Sequence, residues 1–198
     1  RSISGNGHSI SIYAQSMGEN QGQLLVSTSS TYGIYATTIN INGGQVTATA
    51  THDHYQGRAF QSEGNGNITF RNGGKTRAEG GYFGIYCEGN VIVEGGQVEV
   101  YGGSQGIVTN NIILGWTNPT DYIYSKSYIN MSGTTSIAEG KAFITEDGIA
   151  FESGTIDASA INGKKLLPYI EGSVPYIDEN GQRQLCTEYT VLDGTETT

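Results

Sequence analysis

Residues 33–50 read GIYATTININGGQVTATA, and the pattern of this stretch is the strongest indication of the fold. Apolar and polar residues alternate on both sides of a Gly pair, over 39–42 and again over 45–50. A period of two places successive side chains on opposite faces of a β-strand. The Gly pair permits a left-handed corner between two short strands. The stretch therefore predicts two strands joined by a tight corner, with one apolar face and one polar face.

The same unit recurs along the chain. Its opening Gly-Ile-Tyr-Ala has three echoes, which begin at Gly57, Gly84 and Gly106. Alternating strands that end in Gly pairs follow at 68–74 and 91–96. Such self-similarity is the signature of repeat architectures. We predict an all-β fold, a right-handed single-stranded parallel β-helix (a β-solenoid) with roughly 22–30 residues per turn.

Stacked turns bring equivalent residues of successive repeats into register, about 4.8 Å apart. Tyr35 and Tyr86 recur at one repeat position and are predicted to stack on each other. Two interior ladders are also expected: Ile41 with Phe70 and Val93, and Ile34 with Ile85 and Ile107.

Two segments are predicted from the extent of the repeat. Residues 1–163 carry it and are interpreted as the β-helix domain, with its N-terminus cut from a longer protein. Residues 164–198 lose the Gly pairs and contain Pro168 and Pro175. Because the end of a solenoid exposes open strand edges, we predict that this segment is a cap or a linker to a further module.

The composition agrees with strands and turns. The 198 residues include 30 Gly, and only 15% are charged, against about 25% in average proteins. A net charge of −9 disfavours nucleic acid and anionic membranes as partners. No run approaches the roughly 20 apolar residues of a membrane helix. The two cysteines, Cys87 and Cys186, lack a metal-ligand spacing, so a disulfide and two buried thiols both remain open.

A short loop offers a candidate metal site. His52 and His54 flank Asp53, and two imidazoles with a carboxylate suit zinc or another transition ion. The alternative is a loop of solvated polar residues.

A second candidate consists of charged residues within one repeat. Arg58, Arg71 and Arg77 lie near Glu63 and Glu79 in the sequence. They could imitate the basic residue and the carboxylates of a polysaccharide lyase. Paired surface charges, each contributing little, are the alternative.

The third candidate is aromatic. With 13 Tyr and one Trp, the chain is rich in side chains that pack on apolar faces while their polar tips stay hydrated. A glycan-binding platform and ordinary edge packing are both compatible with this set. The residues that we single out as ligand-binding candidates are Tyr55, Tyr82, Tyr101, Trp116 and Tyr122.

The blocks GIYATTININGGQVTATA (33–50), GIYCEGNVIVEGGQVEVYG (84–102) and LGWTNPTDYIYSKSY (114–128) resemble the right-handed β-helix carbohydrate-binding domains of bacterial cell-surface and secreted proteins. These domains have a pectate-lyase-like fold. The resemblance implies an extracellular location, affinity for polysaccharides and bound calcium.

We therefore expect a non-catalytic polysaccharide-binding or adhesin-like module of a bacterial cell-surface protein. Its expected partners are a polysaccharide or cell-surface glycan and further modules of the same chain. Calcium is the one cofactor that the resemblance implies. Two alternatives stay open: a structural spacer of a large repetitive surface protein, and a polysaccharide lyase or hydrolase.

Overall fold

The structure is a computed structural model of the chain. Side chains are described as far as Ile129, and beyond it the strand backbones alone. The described residues are 1–14, 22–52, 56–116, 118, 121–125, 129–131, 135–137, 142–145, 149–151, 156–157, 175–177, 183–185 and 188–190.

All regular structure among these residues is β-strand. In chain order the strands are β1 (Ile3–Tyr13), β2 (Gln23–Thr28), β3 (Tyr32–Asn42), β4 (Gln45–Ala50), β5 (Arg58–Ser62), β6 (Ile68–Arg71), β7 (Lys75–Gly80), β8 (Phe83–Val93), β9 (Gln97–Gly102), β10 (Gln105–Leu114), β11 (Tyr122–Ser125), β12 (Ile129–Met131), β13 (Thr135–Ile137), β14 (Ala142–Thr145), β15 (Ile149–Phe151), β16 (Ile156–Asp157), β17 (Pro175–Ile177), β18 (Arg183–Leu185) and β19 (Glu188–Thr190).

Two long sheets stack these strands into coils. The first sheet has the order β1-β3-β5-β8-β10-β12-β15, and β6 lies between the second halves of β3 and β8. The second has the order β2-β4-β7-β9-β11-β14-β19. Pairing is parallel throughout β1 to β16, for example between β4 and β7. The chain is a β-solenoid of about four turns, which confirms the predicted all-β parallel architecture.

The interior of the solenoid consists of apolar ladders. Ile41 pairs with Phe70, and Phe70 pairs with Val93, as the repeat predicts. All three side chains are at most 2% exposed. Ile85 likewise pairs with Ile107. Since each ladder buries one apolar side chain per coil, the core is continuous along the axis.

The register of the second coil differs from the sequence alignment. Matching Gly57 to Gly33 would place Arg58 beside Ile34, inside the core. Instead Ile34 pairs with Phe60, and Arg58 pairs with Tyr32 on the outer face. The repeat shifts by two residues because a guanidinium cannot be buried unpaired in an apolar core, whereas Phe60 is completely buried there.

Two Gly-pair corners have the predicted left-handed backbone at both glycines, whereas in the third pair, 95–96, only Gly96 has it. Gly43 and Gly44 have φ values of 84° and 82°, and Gly73 and Gly74 have values of 70° and 93°. Stacking also crowds these corners. A Cβ at Gly74 would lie 2.3 Å from the carbonyl oxygen of Gly44. Glycine is required at residue 74 both by φ and by space.

An asparagine ladder, which the repeat pattern does not predict, lines the corner between the two halves of the first sheet. The Asn90 side-chain amide donates to Oδ1 of Asn67 at 3.0 Å. The Asn111 amide donates to Oδ1 of Asn90 at 2.6 Å. Stacked amides of this kind satisfy one another's hydrogen bonds from coil to coil.

Cys87 is a free and buried thiol beneath this corner. Its Sγ donates to the carbonyl oxygens of Gly66 and Asn90 at 3.4 and 3.3 Å. Burial raises the pKa of the Cys87 thiol. The second cysteine of the sequence, Cys186, lies outside the described residues.

Among the described strands, antiparallel pairing is limited to two pairs near the C-terminus. β17 pairs with β18, and β19 pairs with β14 of the second sheet. The proposed boundary between 1–163 and 164–198 stays a prediction. None of the described residues belongs to a helix long and apolar enough to span a membrane.

Candidate functional site

The structure brings together two of the five predicted ligand-binding residues. Tyr101 on β9 and Tyr122 on β11 both reach the carboxylate of Glu99. Tyr82 lies elsewhere, in the turn before β8, and its ring packs 4.3 Å from that of Phe83.

The other predicted ligand-binding and metal residues are buried, half-buried or outside the described residues. Trp116 is only 6% exposed and belongs to the core cluster, so its indole has little surface to offer a ligand. Tyr55, Asp53 and His54 lie outside the described residues. His52 is half-buried.

The site around Glu99 is built on the outer face of the second sheet. Because side chains alternate along each strand, Val46, Ala48 and Ala50 of β4 are buried while the residues between them face outward. Parallel pairing then aligns the outward residues of successive coils in columns. One column contains Gln45, Lys75, Gln97 and Tyr122, and the next contains Thr47, Arg77, Glu99 and Tyr124.

These columns border a shallow depression that we call the sheet 2 groove. Its volume is about 250 Å³. Amide, hydroxyl, ammonium, guanidinium, carboxylate and phenol groups all border it, which provides both donors and acceptors beside a ring. The lining residues are Gln45, Val46, Thr47, Lys75, Thr76, Arg77, Gln97, Glu99 and Tyr122.

Glu99 is the hydrogen-bonding centre of the groove. Its Oε1 accepts from the Tyr122 hydroxyl at 3.1 Å, and its Oε2 accepts from the Tyr101 hydroxyl at 3.2 Å. Oε2 also accepts from Nη1 of Arg77 at 3.3 Å. Both carboxylate oxygens are therefore engaged by the protein, and the orientation of two tyrosine rings is restrained.

Arg77 is held on several sides. Its Nε donates to Oε1 of Glu79 at 2.7 Å, and its Cζ lies 4.2 Å from the centroid of the Tyr101 ring. Burial alone would lower the pKa of Arg77, but hydrogen bonding to Glu79 and the charges of Glu79 and Glu99 raise it. The guanidinium is thus a fixed cation that covers one face of Tyr101.

The two tyrosines at Glu99 keep their protons more strongly than free phenols do. Burial, followed by the hydrogen bond to Glu99, raises the pKa of Tyr122. Burial and the charge of Glu99 raise the pKa of Tyr101, although Arg77 opposes this. Both hydroxyls therefore remain hydrogen-bond donors at neutral pH.

Lys75 and Gln45 differ from these restrained groups. Both are exposed on the outer face, and Lys75 forms no ion pair with any described residue. They are neighbours in one column, directly after the Gly corners of successive coils. An ammonium and an amide are therefore available to a ligand that enters the groove.

The outer face of the first sheet carries a second group of aromatic residues. The rings of Tyr32 and Tyr35 stack at 4.8 Å, and those of Phe83 and Tyr86 stack at 5.5 Å. Arg58 lies between the two pairs, with Cζ 4.3 Å from the centroid of Tyr86. In this Arg58 stack, the rings and the guanidinium cover one another's faces. That arrangement favours a structural role.

The predicted contact between Tyr35 and Tyr86 requires a correction. Both occupy one column, but Gln61 lies between them, pairing with Tyr35 on one side and with Tyr86 on the other. The second coil contributes a residue to this column in either register: the Gly57 match would place Ala59 there, and the observed pairing places Gln61 there.

The remaining charged candidate is a surface ion pair. Nε of Arg71 lies 3.4 Å from Oε2 of Glu94, and the two side chains are 39% and 52% exposed. Pairs of this kind contribute little to stability. Arg58, Arg71 and Arg77 lie in three different settings and do not converge on one site.

The described residues contain no group of three or more His, Cys, Asp and Glu side chains that could hold a metal ion. The calcium that the resemblance implies stays a prediction, since this ion also takes backbone and amide oxygens as ligands. The predicted metal residues Asp53 and His54 fall outside the described part.

Comparison with known protein families, with curated proteins and with solved structures finds no match for this chain.

Proposed function

We propose that the chain is a non-catalytic polysaccharide-binding module and that the sheet 2 groove is its binding surface. The observation that carries the proposal is the setting of Tyr122. Its ring borders a groove of about 250 Å³ beside outward Gln45 and Lys75. A ring beside several hydrogen-bonding groups matches the alternation of apolar faces and hydroxyls on a sugar.

The direction of the groove supports an extended ligand. Gln45, Lys75, Gln97 and Tyr122 follow one another on four adjacent strands of the second sheet. Adjacent strands are about 4.8 Å apart, so the column repeats similar contacts along the solenoid axis. A polymer with a regular repeat can use several such contacts at once.

The engaged state of the acidic groups favours binding over catalysis. A general acid or base must be free to exchange a proton with the substrate. Glu99 is occupied by Tyr101, Tyr122 and Arg77, and Glu79 by Arg77 and Thr49. We expect no unsaturated product from polygalacturonate, with or without calcium, and ultraviolet absorbance of such a product would contradict the non-catalytic assignment.

The wider setting of the proposal is a bacterial cell surface, with an adhesin-like role and an extracellular location. The resemblance of residues 33–50 and 84–102 to β-helix carbohydrate-binding domains supports it. The glycan of a cell surface or of an extracellular matrix would then be the partner, together with further modules of the same chain.

The test is a glycan-array screen followed by calorimetric titration in solution with the glycans that bind. We expect Tyr122→Ala and Lys75→Ala each to raise the dissociation constant about tenfold, which corresponds to a loss of about 1.4 kcal/mol in binding free energy. Tyr13→Ala is the matched control, since Tyr13 is 72% exposed and lies outside the groove. Absence of binding by the wild-type chain to any glycan would contradict the proposal and favour a structural spacer.

A further inference from the structure

Asn-Gly pairs recur along the chain, and the proposed function makes no use of them. In such a pair, the amide nitrogen of Gly can attack the side-chain carbonyl carbon of Asn and close a five-membered ring. Glycine favours this closure because it has no side chain beside the attacking nitrogen. The structural setting of each pair then decides how readily the ring forms. The pairs in the described residues are 6–7, 42–43, 65–66 and 72–73, and two more, 162–163 and 180–181, lie outside them.

Asn72 has the most open setting of the four described pairs. It is exposed and lies at the corner between β6 and β7, outside any strand. Its φ is 60°, and that of Gly73 is 70°. Two successive positive φ values are those of a type I′ turn, for which Asn-Gly is a preferred pair. A Cβ at residue 73 would meet nothing within 4 Å, so there is open space beside the attacking nitrogen.

The backbone at this corner does not oppose the reaction. No described residue accepts a hydrogen bond from the Gly73 N–H group, so the attacking nitrogen loses no partner. Among the described residues, Asn72 is the one residue other than Gly that has a positive φ. The left-handed region is unfavourable for a residue with a Cβ. Movement of Asn72 out of it, towards the ring, therefore relieves strain.

Two of the other pairs have an attacking nitrogen that is already engaged. The Gly7 amide donates to Oε2 of Glu63 at 3.4 Å, and the Gly66 amide donates to the Glu63 carbonyl oxygen at 3.3 Å. A Cβ at residue 66 would collide with the Thr37 carbonyl oxygen, so the backbone there has little room to move. Ring closure at either pair must first break a hydrogen bond.

The pair at 42–43 is restrained by a strand. Asn42 is half-buried and is the last residue of β3. It pairs with Tyr13 on one side and with Arg71 on the other, and its carbonyl oxygen accepts from the Ala14 amide at 3.1 Å. Rotation of Asn42 towards a ring would disrupt the pairing of these strands.

We propose that Asn72 is a site of spontaneous deamidation. The deprotonated nitrogen of Gly73 attacks Cγ of Asn72, the Cγ–Nδ2 bond breaks, and ammonia leaves with the proton that the Gly73 amide gave up. Water then opens the succinimide ring at one of its two carbonyl carbons. Opening at Cγ gives aspartate, and opening at the main-chain carbonyl gives isoaspartate, whose backbone runs through Cβ and Cγ. Water is the one co-reactant, and nothing is oxidised or reduced.

Isoaspartate lengthens the corner by one backbone atom, at a point where coils are stacked on both sides. The Lys75 amide donates to the Gly44 carbonyl oxygen, and the Gln97 amide donates to the Gly74 carbonyl oxygen, both at 2.9 Å. These bonds adjoin the pairing of β7 with β4 and with β9. An added atom just before Gly74 displaces them, so we expect the isoaspartate form to unfold at a lower temperature.

Peptide mapping after incubation of the folded chain at neutral pH measures the reaction. Chymotryptic cleavage after aromatic residues gives fragment 61–70, which contains Asn65, and fragment 71–82, which contains Asn72. We expect fragment 71–82 to gain one mass unit about tenfold faster, which corresponds to about 1.4 kcal/mol in activation free energy. This ratio is what the loss of one hydrogen bond at Asn65-Gly66 would give. Synthetic peptides that contain aspartate or isoaspartate identify the two products by their elution.

Three controls relate the selectivity to the fold. In concentrated urea the two fragments should convert at similar rates, because unfolding removes the difference between their settings. Asn72→Gln should abolish the mass gain of fragment 71–82, since its longer side chain would have to form a six-membered ring. The isoaspartate form, isolated by ion exchange, should melt below Asn72→Asp, which carries the same charge on an ordinary backbone.

Conversion of fragment 61–70 as fast as fragment 71–82 in the folded chain would overturn the proposal. So would a fragment 71–82 that stays unmodified in the folded chain but converts in urea. An isoaspartate form as stable as Asn72→Asp would contradict the displacement of the stacked corner.

Discussion

The Tyr122 hydroxyl donates a 3.1 Å hydrogen bond to Oε1 of Glu99, on the neighbouring strand of the second sheet. Since Tyr101 and Arg77 occupy the other oxygen, the carboxylate restrains one wall of the groove before any ligand arrives. Groups that are already ordered lose less conformational entropy on binding. Glu99 is therefore expected to act on a ligand through the groups that it positions.

Replacing Glu99 tests this positioning role. Glu99→Ala should weaken glycan binding by several-fold, because the Tyr122 ring and Arg77 lose their common partner. Unfolding stability should fall by less than about 1 kcal/mol, because the ion pair is solvent-exposed. Urea denaturation and calorimetric titration measure the two effects. Glu88→Ala, which removes a comparable tyrosine partner from Tyr86, should leave binding unchanged.

The interior ladder through Phe70 supports the stability of the solenoid. Phe70 is 1% exposed and meets Phe60 edge-on with centroids 6.2 Å apart. Phe70→Ala should lower the free energy of unfolding by about 3–5 kcal/mol, as measured by urea denaturation. Val93→Asp, or Ile41→Asp in the same ladder, should abolish folding, since the core cannot solvate a carboxylate. A wild-type thermal midpoint in either aspartate variant would refute the assigned inward faces.

The asparagine ladder makes a separate contribution. Asn90→Ala removes the amide that bonds both Asn67 and Asn111 and leaves their polar groups partly unsatisfied. We expect a loss of about 1–3 kcal/mol in the free energy of unfolding. Asn40→Ala is the control, since the Asn40 amide has one long 3.4 Å contact to Ser11 at the exposed surface. Equal effects of the two substitutions would show that the ladder adds nothing.

Two adjacent glycines separate the effect of backbone strain from that of crowding. Gly73 and Gly74 both have positive φ, so alanine at either position should cost about 1–2 kcal/mol from the left-handed backbone. A Cβ at residue 73 meets nothing within 4 Å, whereas one at residue 74 meets the Gly44 carbonyl at 2.3 Å. Gly74→Ala should therefore be clearly more destabilising than Gly73→Ala, and the reverse order would contradict the corner packing.

The tyrosines at Glu99 predict a loss of stability at alkaline pH. Burial raises the pKa of Tyr101 and Tyr122 in the folded chain, so folding favours their neutral forms. This contribution is complete below the unfolded value of about 10 and is lost as pH rises through the raised folded values. Spectrophotometric titration should show tyrosines that ionise above the ordinary pKa. The Tyr122→Phe variant should show one fewer of them than the wild type. Ionisation of every tyrosine at or below the ordinary pKa would contradict this prediction.

The sequence predicts the solenoid because its determinant is local. Alternation along Ile39–Asn42 and Gln45–Ala50 determines which side chains point inward, and the Gly pair marks the corner between them. The ladder of Ile41, Phe70 and Val93 follows directly. Register in the second coil was wrong because the Gly57 match carries no information about burial. Requiring Arg58 to face outward would have corrected it.

The candidate site was predicted only in part. Tyr101 and Tyr122 could be selected by residue type, but Glu99 could not, since its contact with Tyr122 joins residues 23 apart and depends on register. Residue type alone did not predict that Trp116 is only 6% exposed, because an indole suits a core and a binding surface equally well. A usable signal was present at Gln45 and Lys75, which directly follow Gly pairs and so occupy equivalent positions in one outward column.

Chemical-shift mapping identifies the binding surface residue by residue. On titration of the ¹⁵N-labelled chain with a glycan that binds, we expect the largest amide shifts on β4, β7 and β9, around Gln45, Lys75 and Gln97. The Arg58 stack on the first sheet should remain unshifted. Shifts that concentrate on the first sheet, or that persist undiminished in Tyr122→Ala, would show that the sheet 2 groove is not the binding surface.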